Sequence, residues 1–193
     1  MSGKDLLGQT PSQTVGPYFA YGLTPQQYGY DWGSIAGSEM ADEATPGERI
    51  TFEGQVFDGA GQPVTDAMIE IWQADGTGAY ATKPGRNTRF TGFGRAGTGT
   101  LADGTFRFAT VKPGAPEATE APHIDIIVTM RGLLMHVFTR AYFDGDPRNA
   151  TDPVLAQIPA ERRGTLLARQ TSPGAWRFDI RMQGDAETVF FDL

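Results

Sequence analysis

At 193 residues the chain is long enough for one domain with a buried core, and its 39% apolar content is ordinary for a globular protein. A formal net charge of -7 argues against nucleic acid as a partner, because phosphate binding needs a basic face. The lack of cysteine removes disulfides, thiolate metal sites and cysteine nucleophiles.

The first residues, Met1 to Leu7, carry no apolar stretch of the secretory kind, and no run approaches the ~18 apolar residues of a membrane span. The expectation is a cytoplasmic protein. Residues 1–48 show little periodicity and read as a long N-terminal arm. Its aromatics, Tyr18, Phe19, Tyr21, Tyr28, Tyr30 and Trp32, are unusual for a free tail, so the arm is expected to pack on a partner subunit. Residues 49–193 form the expected domain. Ile50, Phe52 and Val56 alternate with polar residues as in a half-buried strand. Residues 67–73 make a second strand, 75–100 a Gly-rich loop, and Phe106 and Phe108 the inward face of a third strand. Residues 122–130 and 133–143 read as a hairpin turning at Arg131-Gly132, where glycine accommodates a positive φ. A short helix is expected over 152–163, with Pro153 in its first turn, followed by closing strands at 164–169, 175–182 and 187–192. About eight short strands and one short helical segment predict an all-β fold, a β-sandwich.

The hairpin's first strand places His123 and Asp125 two residues apart, hence on one face. With His136, they form a possible two-His, one-carboxylate triad for Fe(II). The competing reading is a His and an Asp that simply bond each other or an arginine. Arg131 reads either as a solvated turn residue or as a positive group near an anionic substrate. Arg86, Arg89 and Arg95 read as structural or interface residues, and Arg177, Asp179 and Arg181 as a polar strand face. A binding module without catalysis is the alternative from another class.

Several segments in order carry a resemblance. They are Thr10-Pro11-Ser12-Gln13-Thr14-Val15-Gly16-Pro17-Tyr18, Ile69-Glu70-Ile71-Trp72-Gln73-Ala74-Asp75, Phe93-Gly94-Arg95, Thr110-Val111-Lys112-Pro113-Gly114, Pro122-His123-Ile124, Thr139-Arg140-Ala141-Tyr142-Phe143-Asp144-Gly145-Asp146 and Arg177 to Gly184. Over almost the whole chain this resembles the intradiol ring-cleavage dioxygenases, and among them the α subunits of the members that cleave protocatechuate. The resemblance implies a β-sandwich and a partner β subunit that holds Fe(III) through two Tyr and two His. It implies O2-dependent cleavage of protocatechuate to 3-carboxy-cis,cis-muconate, in the β-ketoadipate route of aromatic catabolism. It further implies that Thr14, Gly16, Pro17 and Tyr18 line a substrate pocket shared with the β subunit, with Arg131 nearby.

Against the family's ligand pattern, His123 matches the first histidine and Asp125 replaces the second. Ala115-Pro116-Glu117 stands where a ligating Tyr is expected, and residues 81–94 contain no Tyr; Tyr80 lies just outside and reads as a poor substitute. His123 and Asp125 are thus vestigial ligand positions. The chain is expected to bind no metal, to carry no catalytic residue by itself, and to act inside a larger αβ oligomer.

Overall fold

The computed structural model describes residues 16–81 and 90–192, with side chains from residue 20 onward. The strands are β1 (Arg49–Phe57), β2 (Met68–Gln73), β3 (Phe93–Gly97), β4 (Thr105–Val111), β5 (His123–Thr129), β6 (Val137–Phe143), β7 (Leu167–Ser172), β8 (Ala175–Arg177) and β9 (Ile180–Arg181). They run in the order β3-β2-β5-β6-β7-β8-β1-β4, with β9 added alongside β1. β7 pairs with β6 on one side and β8 on the other, so it joins the layer β3-β2-β5-β6 to the layer β8-β1-β4. The expected sandwich is found.

Alternation explains the packing. Ile50, Phe52 and Val56 of β1 face Phe106 and Phe108 of β4 and the β2 and β5 residues Ile69, Ile71, Ile124, Ile126 and Val128 in one buried cluster. Each such side chain removed from water contributes about 1.5–3 kcal/mol. A second, smaller cluster of Ala121, Tyr142, Leu155 and Leu166 lies beneath the helix α2 (Pro153–Gln157). Gly54 has no room for a side chain, because a Cβ there would run into the Phe178 carbonyl.

The structure departs from the sequence reading in four places. The 75–100 segment contains β3, whose Phe93-Gly94-Arg95-Ala96-Gly97 has weak strand propensity and is set by pairing with β2. The hairpin connection is longer than a two-residue turn. Gly132 does adopt φ 88°, but β6 resumes only at Val137. Residues 187–192 form no strand, only a bridge from Phe191 to Phe138. The helical segments number more than one: besides α2 there is α1 (Gly16–Leu23), within the arm. Pro17, in its first turn, carries no N–H that a helix would need there.

The arm is built into its own domain from residue 24 onward. The Arg95 N–H donates to the Gly37 carbonyl at 3.0 Å, the Ala109 N–H to Ser38 at 2.9 Å, and the Met40 N–H back to Ala109 at 2.9 Å. β3 and β4 are the two ends of the strand order, so this segment covers both exposed edges at once. Met40 joins the main core.

Candidate functional site

The antiparallel pair β5–β6 carries functional candidates at both ends. At its buried end His123 pairs in register with Tyr142, and Asp125 with Arg140. His123 Nδ1–H donates to the Ala121 carbonyl at 2.8 Å, which leaves Nε2 as an acceptor. The Tyr80 hydroxyl lies 3.3 Å from that Nε2 and donates to it. Asp125 Oδ2 is 3.9 Å from the same nitrogen. Arg140 Nε donates to Asp125 Oδ1 at 2.8 Å, and its guanidinium also reaches the Tyr142 hydroxyl at 3.4 Å.

Asp152 fixes this arrangement from below. Its carboxylate caps α2 by accepting from the N–H groups of Val154 and Leu155, each at 2.9 Å. It also accepts from the Ala121 N–H at 2.9 Å and the Tyr142 hydroxyl at 3.1 Å. One buried side chain therefore ties β6, the entry to β5 and α2 together.

Burial and the neighbouring Arg140 charge push the His123 pKa down, so the ring is neutral near pH 7. Burial, helped by the Asp125 charge, pushes the Tyr80 hydroxyl up to about 12. Burial lowers the tendency of Arg140 to hold its proton, but the Asp125 carboxylate and the Tyr142 hydroxyl outweigh it and raise its pKa. Beside this network, on the outer face of the sheet, lies a groove of about 340 Å³ walled by Trp72, Phe93, Ile127 and Phe138 and edged by Arg140. Tyr80 stacks on Trp72 with ring centroids 5.9 Å apart and planes within 5° of parallel.

A ferric ion does not suit this arrangement. The lone pair of His123 Nε2 is already met by Tyr80, and Asp125 is neutralised by a fixed guanidinium. A multivalent cation would stand against the Arg140 charge with one carboxylate to offset both. Among the described residues there is no group of three His, Cys, Asp or Glu placed to hold a metal.

The other end of the strand pair is open. Arg131 lies past the end of β5 and forms an ion pair with Asp66, Nε to Oδ2 2.9 Å, while its side chain remains 83% exposed. The arm's 3-10 turn (Pro25–Tyr28) packs beside it. Gln27 Nε2 donates to the Thr65 carbonyl at 3.3 Å and its Oε1 accepts from the Gly99 N–H at 3.2 Å. Burial, then the Asp66 charge, raises the pKa of the neighbouring Tyr28. Tyr30, Trp32, Leu134 and Met135 are exposed large side chains.

Of the residues singled out in the sequence, His123 and Asp125 come together. His136 does not join them. It has the same strand parity, but it lies six residues before Tyr142, which pairs with His123, hence ~20 Å away along β6. There its ring meets Phe138 edge-on. The Fe(II) triad is therefore not formed. Gly16, Pro17 and Tyr18 open α1, and their side chains lie outside the described ones, as do Thr14, Arg86 and Arg89 altogether. Arg95 donates to Glu70 at 2.8 Å across β2–β3, a structural pair.

The sequence reading missed Arg140 and Asp152, and it set Tyr80 aside as a poor substitute for a ligating Tyr. Tyr80 nonetheless belongs to this network, since its hydroxyl faces His123. Its signal was the Asp75-Gly76-Thr77-Gly78 turn, where the Asp75 carboxylate accepts from Thr77 and Ala79 and redirects the chain toward β5. Arg140 was hidden by register. A two-residue turn at Arg131-Gly132 would set Asp125 opposite Phe138, whereas the longer connection sets it opposite Arg140.

Comparison with known proteins agrees with this architecture. A dioxygenase family model matches residues 15–184. The protocatechuate 3,4-dioxygenase alpha chain of Burkholderia cepacia is 55% identical over 194 residues, covering 97% of this chain and 98% of that protein. The beta chain from the same organism is 35% identical over 156 residues, covering 72% of this chain and 66% of that protein. Among solved structures, the dioxygenase domain of a dioxygenase carbohydrate-binding protein fusion from Streptomyces sp. SirexAA-E superposes with a TM-score of 0.61 at 31% identity, over 90% of this chain and 97% of that one.

Proposed function

This chain belongs to the intradiol ring-cleavage dioxygenase family, and from that premise we propose that it is the α subunit of a protocatechuate 3,4-dioxygenase. It pairs with a β subunit, and the αβ enzyme inserts both atoms of O2 between the two hydroxyl-bearing carbons of protocatechuate, giving 3-carboxy-cis,cis-muconate. The Fe(III) that supplies the oxygen chemistry is held by the β subunit. A cytoplasmic setting fits this reading.

One observation carries the division of labour. The place where His123 could serve a metal already holds a complete set of partners, with Tyr80 on its Nε2 and the Arg140 guanidinium on Asp125. This chain then contributes binding rather than bond chemistry. Gly16, Pro17 and Tyr18, with Thr14 before them, form part of the pocket wall, and Arg131 supplies a positive charge to an anionic substrate in a chain of net charge -7. A wall from a second subunit positions the substrate and excludes water without itself reacting. Residues 1–48, although their later part packs on their own domain, reach the β subunit through their exposed aromatics Tyr30 and Trp32.

The test is iron content and protocatechuate-dependent O2 uptake, measured on this chain alone and after co-expression with a β chain. Iron and uptake are expected only in the co-purified pair. Stoichiometric iron in the chain alone would overturn the assignment.

A further inference from the structure

The outer face of the layer β8-β1-β4, with β7 beside it, holds more positive charge than its acids neutralise. β7 sends Ala168 into the core, and the run from Trp176 to Arg181 sends in Trp176, Phe178 and Ile180. Arg169 on one side and Arg177, Asp179 and Arg181 on the other therefore face outward together. Register then sets like charges side by side. Arg169 pairs with Arg177, Arg177 with Glu53 of β1, and Glu53 with Arg107 of β4, a row of three cations and one anion. Two arginines directly opposite each other cost a sheet stability.

The two carboxylates beside this row are already committed. Glu53 accepts from Arg107 Nε at 2.8 Å. Asp179 accepts from Arg177 Nε at 3.1 Å, and Arg177 Nη2 also donates to Gln55 at 2.8 Å. Arg169 and Arg181 have no carboxylate partner among the described residues. Arg181 lies over the Phe57 ring at 4.9 Å, a contact that uses none of its N–H donors. Arg169, Arg177, Asp179 and Arg181 line one groove of about 470 Å³, together with Thr165 and Thr188. That is a usual size for a small-molecule site. Its charge is ordered along the chain: positive at Arg177 and the neighbouring Arg169, negative at Asp179, positive again at Arg181. Arg177 and Arg181 are separated by at most roughly 13 Å of chain. A compact anion between the two ends meets Asp179, whereas a molecule with a carboxylate at each end meets a guanidinium at each end.

We infer that this groove binds a small dicarboxylate whose charged ends are separated by a carbon chain, one end at Arg169 and the other at Arg181. Planar guanidinium groups suit carboxylates at both ends. An anion at Arg169 also offsets its repulsion with Arg177, so binding stabilises the β7–β8 pair.

The experiment is titration calorimetry of the full chain in the αβ complex, at constant ionic strength, with malonate, glutarate, pimelate, inorganic phosphate and a hexaglutamate peptide. Pimelate is expected to bind more tightly than malonate or phosphate. Arg169→Gln and Arg181→Gln should each weaken pimelate about tenfold and change malonate little. Both side chains are exposed, so either variant alone can decide the matter. Arg148→Gln, which removes the same charge from an exposed site outside the groove, should leave pimelate affinity unchanged. Without ligand, Arg169→Gln should unfold at a temperature no lower than the parent, because it removes a like-charged neighbour. Pimelate binding that is indifferent to both groove substitutions lies elsewhere and overturns the inference. So does an equal loss from Arg148→Gln, which would mark unspecific charge attraction. Phosphate or malonate binding as tightly as pimelate would make this a site for compact anions, and binding of the peptide alone would make it a contact for an acidic protein segment; either overturns the inference. No saturable binding would leave a solvated polar face and overturn it too.

Discussion

The two ends of the β5–β6 pair stand ~20 Å apart and treat charge in opposite ways. At one end His123 is 2% exposed, and Asp125, Arg140, Tyr142 and Asp152 bond one another around it. At the other, Arg131 is 83% exposed and is held on one side only. A buried polar group must find a protein partner or lose stability, so the closed end is committed to holding the fold. An exposed guanidinium with free donors gives the fold little and keeps its capacity for an anion. Hydrogen bonds and a fixed cation around His123 and Asp125 make this end part of the scaffold.

The contrast can be broken by substitution. Asp152→Ala should have the largest effect, because it leaves the N–H groups of Ala121, Val154 and Leu155 and the Tyr142 hydroxyl without their common acceptor. A loss of about 3–5 kcal/mol is expected in denaturant unfolding. Arg140→Met should cost about 1–2 kcal/mol, less than a fully buried pair because Asp125 is 35% exposed. The same change should raise the His123 pKa, since a depressing charge is removed, and an NMR titration of the ring would read it. Turnover by the αβ complex should survive both changes wherever the subunits still assemble. If Arg140→Met abolishes turnover in a stable complex, the closed end is not scaffold alone.

A pH measurement sharpens the comparison further. The folded-state pKa of His123 lies below its unfolded value of 6.5, so between the two the unfolded chain binds the extra proton. Stability should therefore fall as pH drops below about 6.5, continuing until the folded ring protonates. Replacing His123 with Gln should flatten this part of the stability curve, and an unchanged slope would mean that His123 is not its source. Arg131→Ala should be the mildest for the fold, within about 0.5 kcal/mol in the same unfolding experiment. Yet it should lower kcat/KM for protocatechuate in the complex, with its iron content unchanged. Normal kinetics would remove Arg131 from the pocket.

Alternation in the sequence determined the strands of the core, because Ile50, Phe52, Val56, Ile124, Ile126 and Val128 must share one buried face whatever their partners. It also determined that His123 and Asp125 share a strand face. Spacing along the chain carries no information about loop length across a hairpin. The extra residues after Gly132 therefore decided, in three dimensions, that Asp125 meets Arg140 instead of Phe138, and they moved His136 two residues further from His123. Long-range closure likewise brought Tyr80 to His123, made Asp152 the link between two strands and a helix, and laid residues 37–41 along both open sheet edges. Local periodicity fixes which face a residue presents; only the packed chain fixes what stands opposite it.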